Sequence, residues 1–120
     1  LCEHCKEAYQ PPVDSLKRLN LVSSKEKPIT LYRAKGCKHC SETGYSGRTG
    51  VFELMIIDDK IRELILKKVS TSVIRREAKT AGMKTLWDNG LELVLKGATS
   101  MEEILRVIPL AEEAPFFVPI

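Results

Sequence analysis

The hydrophobic pattern of this chain changes its period at about residue 58, and that change divides it in two. Before this point apolar residues come in short runs between turn formers. Tyr9-Gln10-Pro11-Pro12 stops any regular element ahead of it. Asp14 is placed to cap a short helix carrying Leu16 and Leu19, with Val13 as its apolar lead-in. Val22 to Pro28 is polar and reads as a loop, and Thr30-Leu31-Tyr32-Arg33-Ala34 predicts a strand. Gly44, Gly47 and Gly50 mark turns, after which Val51-Phe52-Glu53-Leu54-Met55-Ile56-Ile57 predicts a second, more buried strand.

From Asp58 the period is helical. Asp58 or Asp59 caps a helix whose Ile61, Leu64, Ile65 and Val69 share one face. Ser70, Thr71 or Ser72 caps a second, with Ile74, Ala78 and Ala81 inward and Gly82 just past its end. A third runs from about Thr85 to Lys96, showing Leu86, Gly90, Leu93 and Val94, and Gly97 stops it. Thr99 to Glu102 and Ser100 to Glu103 are overlapping capping boxes for a fourth, which bears Met101, Ile104, Leu105 and Ile108 and ends at Pro109. The expected fold is α+β. A small zinc-ribbon-like subdomain with short strands spans residues 1–57, a bundle of about four helices spans 58–109, and a flexible tail spans 110–120. The tail's Phe116-Phe117 pair offers an apolar end to a partner.

Composition narrows the class without choosing a function. The chain has 120 residues, 43% hydrophobic and 29% charged, as in a globular protein. No apolar run approaches the roughly 18–20 residues that span a bilayer. Its 19 Lys/Arg against 16 Asp/Glu give a net charge of +3, too small to argue for nucleic acid. The chain opens on Leu1-Cys2, which reads as a piece of something longer.

The cysteines carry the chemistry. All four fall in two pairs of the same spacing, Cys2-Glu3-His4-Cys5 and Cys37-Lys38-His39-Cys40. Each C-x-x-C aims two sulfurs at one point, and two pairs make the closed tetrahedral cage that suits structural Zn²⁺. Zinc ribbons commonly separate their pairs by roughly 15–20 residues, whereas 31 lie between Cys5 and Cys37. Loop closure costs only about 0.6 kcal/mol per doubling of length, against the roughly 10–16 kcal/mol a structural zinc contributes in small peptides. The spacing therefore leaves the cage intact and implies that the intervening chain folds for itself.

Rival readings are weaker. Paired disulfides want an oxidising compartment, and nothing here resembles a signal peptide. A thioredoxin-like site needs C-x-x-C in a βαβ setting that neither pair has. Iron in a four-cysteine cage has ligation that the residues allow. His4 and His39 precede the second cysteine of each pair; either is a possible ligand type, but four thiolates already complete the shell, so both read as exposed knuckle residues. A catalytic zinc would need an open position, and no Ser-His-Asp or Cys-His set remains once the cage forms. A nucleic-acid ribbon is the alternative function, with a helix-turn-helix drawn around Gly82. Its recognition helix would carry Asp88 and Glu92 and only Lys96, a poor phosphate surface.

Beyond the second pair the pattern becomes more specific. It reads Cys37-x2-Cys40-x3-Gly44-Tyr45-x-Gly47-Arg48-x-Gly50-Val51-x-Glu53, then Glu77-Ala78, then Gly82-Met83-x2-Leu86-x3-Gly90, then Gly97-x-Thr99-Ser100-x-Glu102-Glu103-Ile104. Over roughly residues 1–108 it resembles the C-terminal part of the ATPases that drive type II secretion and type IV pilus assembly. The resemblance implies a hexameric cytoplasmic motor with a RecA-like nucleotide domain, peripheral to the bacterial inner membrane, using ATP and Mg²⁺. In that family a tetracysteine segment holds one structural Zn²⁺, and Cys2, Cys5, Cys37 and Cys40 match its ligands. Implied partners are neighbouring subunits and inner-membrane platform proteins, with no nucleic acid and no membrane insertion, the isolated chain being monomeric.

One family feature is missing. No G-x-x-x-x-G-K followed by Ser or Thr occurs, and Lys79-Thr80 and Lys84-Thr85 lack the glycines that let backbone N–H groups cradle phosphate. This stretch is therefore expected to be no enzyme, with the nucleotide motifs upstream of Leu1. Arg48, in the Gly-rich loop, either meets a phosphate in the intact motor or is an exposed arginine paired with Glu53; the second is the simpler expectation.

Overall fold

Local capping chemistry sets most of the elements in the computed structural model, which describes residues 1–18 and 29–108. Strand β1 (Glu7–Tyr9) is followed by helix α1 (Val13–Arg18), strand β2 (Leu31–Arg33), a 3-10 turn at Lys38–Cys40 and four helices. These are α2 (Asp59–Leu66), α3 (Thr71–Thr80), α4 (Leu86–Leu95) and α5 (Met101–Val107). The α+β class holds, as a two-stranded antiparallel sheet with several helices. The expectations for Leu19, the 22–28 loop, Pro109 and the tail from 110 concern residues outside the described ones.

One strand was not anticipated, and one expected strand is corrected. β2 lies where it was expected, but its partner is β1, in the register Glu7↔Arg33, Ala8↔Tyr32, Tyr9↔Leu31. Three residues without a β-branched side chain gave no pattern to read. Val51–Ile57 forms no strand, and it is not buried. Phe52, Leu54 and Ile56 are 73%, 76% and 76% exposed. A run apolar at successive positions is the pattern of a strand covered on both faces. Among the described residues the sheet holds only β1 and β2, so no strand pairs with this run.

Several helix termini follow their signals, although Ser70 precedes α3 without a side-chain cap bond. The Asp58 carboxylate accepts from Ile61 N–H at 2.9 Å and opens α2. Ser100, rather than Thr99, opens α5, its hydroxyl accepting from Glu103 N–H at 3.2 Å. α4 has a reciprocal cap that was not anticipated: Thr85 N–H donates to Asp88 at 2.9 Å and Asp88 N–H donates to the Thr85 hydroxyl at 3.2 Å. Asp14 is not a cap, because α1 already begins at Val13 and the Pro12 carbonyl accepts its first bonds. Gly82 and Gly97 close α3 and α4 in left-handed backbone, with Met83 N–H bonded to Ala78 O and Ala98 N–H to Leu93 O.

The chain forms two compact units. One unit is Leu1–Thr49 together with the chain from Gly90 onward; the other is Gly50–Asn89. The boundary falls inside α4. In the first unit Leu16, Leu31, Leu91, Val94, Ile104 and Ile108 are buried along with Cys2 and Cys40. α4 and α5 meet closely there, since a Cβ on Gly90 would lie 2.7 Å from Ile108 Cδ1 and 3.1 Å from Ile104 Cδ1. In the second unit α2 packs on α3, burying Ile61 and Ala78, and Lys60 pairs with Glu77 at 2.7 Å. Glu53 accepts from Leu86 N–H at 2.8 Å, and Asn89 donates its amide to the Phe52 carbonyl.

Candidate metal centre

Both knuckles are tight turns that bring their cysteines round to one side. In the first, Cys5 N–H and Lys6 N–H return to the Cys2 carbonyl at 3.4 and 3.1 Å. In the second, Cys40 N–H and Glu42 N–H return to the Cys37 carbonyl at 3.3 and 2.8 Å. Ser41 and Glu42 take positive φ values of 53° and 63° to make that return, a conformation with a steric cost for any residue but glycine. Cys2 N–H donates to Gly44 O at 2.9 Å and ties one knuckle to the loop behind the other. Gly44 packs so closely that a Cβ there would sit 2.5 Å from Ala34 Cβ.

The result brings together all four predicted site residues. The sulfurs of Cys2, Cys5, Cys37 and Cys40 lie within 4.8 Å of one another. Three of the separations, Cys2–Cys37, Cys5–Cys40 and Cys37–Cys40, are 3.8 Å. A tetrahedron with metal–sulfur arms of about 2.3 Å has edges of about 3.8 Å, so the donor set fits such an ion. All four cysteines are free thiols, and their spacing is far beyond the roughly 2.05 Å of a disulfide. Cys2 and Cys40 are buried, while Cys5 and Cys37 are partly open.

Backbone dipoles point at the sulfurs. Gly36 N–H donates to Cys5 Sγ at 3.3 Å, Cys37 N–H to Cys40 Sγ at 3.3 Å and Gly44 N–H to Cys40 Sγ at 3.1 Å. Burial works to raise the Cys40 thiol, but the N–H groups of Cys37 and Gly44 and the neighbouring sulfurs outweigh it and bring it down to about 6. Burial dominates at Cys37 and pushes that thiol up to about 11. Gly36 and Gly44 thus act on the cage directly. The sequence signal was their position, just before Cys37 and four residues after Cys40, which periodicity reads only as turns.

The remaining candidates separate. His4 and His39 are exposed, as expected, but their rings stack with centroids 3.9 Å apart and planes 19° from parallel. Arg48 is exposed and in no ion pair among the described residues, and the Glu53 carboxylate is bonded to Leu86 N–H instead. Lys6 holds the first knuckle to the end of α4, donating to Gly97 O at 3.0 Å beneath the Tyr32 ring. Tyr45 and Ser100 share a hydroxyl–hydroxyl bond of 2.7 Å that ties the loop after the second knuckle to the cap of α5.

Comparison with known proteins agrees with the motif reading. Residues 1–106 match the family described as type II/IV secretion system protein. The type IV pilus assembly ATPase PilB of Thermus thermophilus is 41% identical over 105 residues, 88% of this chain and 12% of that protein. The type II secretion system ATPase E of Vibrio cholerae is 40% identical over 107 residues, 89% of this chain and 21% of that protein. The type II secretion system protein E of Pseudomonas aeruginosa is 42% identical over the same length, with the same shares. The chain spans between about an eighth and a fifth of the length of these curated relatives. With a family match over nearly its whole length and relatives at 40% identity or more, the chain belongs to the type II/IV secretion system protein family.

Proposed function

We propose that this chain is a zinc-stapled structural and interaction module of a secretion or pilus-assembly ATPase, and is itself non-catalytic. Cys2, Cys5, Cys37 and Cys40 hold one Zn²⁺. The observation that carries the reading is the sulfur cage, with its 3.8 Å separations and the N–H groups aimed at Cys5 and Cys40. Four thiolates close the shell, so the metal's contribution is to stability rather than to catalysis. ATP and Mg²⁺ belong to the rest of the motor, which is cytoplasmic and peripheral to the inner membrane. Among the described residues no helix is long and apolar enough to cross a membrane.

The interaction role is supported by the exposed apolar run. Phe52, Leu54 and Ile56 are exposed on a segment that pairs with no strand among the described residues. The relatives are about five to eight times longer than their matched part, so the occupant we assign to this run is the remainder of the longer protein. Neighbouring subunits and platform proteins are further partners of the assembled motor. A nucleic-acid ribbon has less support, since α4 carries Asp88 and Glu92.

Metal analysis of the purified chain tests the central claim. One zinc per chain, with a four-thiolate spectrum on Co²⁺ substitution that added small ligands leave unchanged, is the expected result. Absence of bound metal, or a spectrum responsive to small ligands, overturns it.

A further inference from the structure

The His4–His39 stack joins the two knuckles from outside the sulfur shell. Each ring belongs to the residue just before the second cysteine of its pair, so the contact links segments that are 35 residues apart in sequence. Both side chains are exposed, and neither is in a hydrogen bond or ion pair among the described residues. The lone pairs of an imidazole lie in the plane of its ring. Two planes only 19° from parallel and 3.9 Å apart therefore set the nitrogens side by side, rather than converging them on one ion. The geometry is that of a face-to-face aromatic contact and not of a chelate.

We propose that the His4–His39 stack is a clasp that holds the two C-x-x-C knuckles in register, so that the cage is assembled before the ion enters it. The proposal rests on the reading of the four cysteines as metal ligands. An ion captured by one knuckle must otherwise wait for the second to close a 31-residue loop. A clasp made beforehand removes part of that entropy from the binding step, which is preorganisation in its ordinary sense. Backbone ties already run between the knuckles, from Cys2 N–H to Gly44 O and from Gly36 N–H to Cys5 Sγ. The stack adds a side-chain tie that can be removed without touching a ligand.

The test measures Co²⁺ affinity and association rate, and Zn²⁺ affinity by chelator competition, on the full chain. His4→Ala and His39→Ala should each weaken binding about 2- to 12-fold, the range an aromatic pair supplies. The double variant should lose no more than either single one, because both delete the same contact. His39→Phe keeps a ring but no nitrogen and should restore affinity. The four-thiolate Co²⁺ spectrum should be the same in every variant. Alanine variants that bind like the parent overturn the clasp, as does a phenylalanine variant that behaves like alanine. A shifted spectrum in any histidine variant overturns it too, by making a nitrogen a ligand. If an alanine variant fails to fold, the phenylalanine variant decides: parental affinity supports the clasp and lost affinity sinks it. Failure of the parent chain to bind metal at all would remove the cage reading, and the clasp with it.

Discussion

Cys37 and Cys40 sit three residues apart on one turn yet are shifted in opposite directions, to about 11 and about 6. Burial raises both and backbone N–H groups lower both, but the bonds among the sulfurs raise Cys37 and lower Cys40. Near neutral pH the free cage therefore holds a thiolate at Cys40 and a proton at Cys37. In the proposed zinc site the metal displaces that proton, so affinity should rise with pH across the window between about 6 and about 11. Zinc competition at pH 6.5 and pH 8 should give tighter binding at the higher value, by up to about tenfold per unit for each proton released. Equal affinity at the two values would contradict the assignment. That each pair of cysteines turns to one side was legible from spacing alone, because a C-x-x-C turn is closed by its own four residues. The asymmetry was not, since it arises where sulfurs from both knuckles meet.

At the scale of elements, α4 and α5 depend on two small residues. Ser100 serves twice, capping α5 through Glu103 N–H and bonding the Tyr45 hydroxyl. Ser100→Ala should cost about 1–2 kcal/mol of stability in thermal or denaturant unfolding, the range for a lost cap. Gly90→Val puts a side chain where Ile104 and Ile108 already lie and should cost about 1–3 kcal/mol through overpacking. Helix ends were readable because a cap and its N–H partners lie within one turn. Asp58 and Ser100 were found in this way, while Asp14 failed because α1 starts one residue earlier at Val13. Strands were harder to read. Thr30–Ala34 was recognisable by its apolar alternation, but nothing local in Glu7-Ala8-Tyr9 says that it pairs there.

For the whole molecule, the two units should respond differently to loss of metal. Chelation should remove hydrogen-exchange protection from residues 1–18, 29–49 and 90–108, which share the cage's unit, while α2 and α3 keep theirs. Loss of protection confined to α2 and α3 would argue against a structural metal. The exposed run gives a second prediction. Replacing Phe52, Leu54 and Ile56 by serine should leave the stability of this chain within about 0.5 kcal/mol, as for surface positions. The same changes in the longer protein should destabilise it or its assembly, read by thermal unfolding and sedimentation. A large loss in the isolated chain would show that the run is covered after all.

The sequence by itself determined what is encoded within a turn or a few: the four sulfur donors, the helix caps and stops, the α+β class and the family. The tertiary structure decided what depends on distant segments meeting. β2 pairs with β1, most of α4 and all of α5 join the cage's unit, and His4 meets His39 across 35 residues. The apolar run at 51–57 marks the boundary between the two kinds of information. Its pattern announces a strand with both faces covered, and a pattern states the need for a neighbour without supplying one.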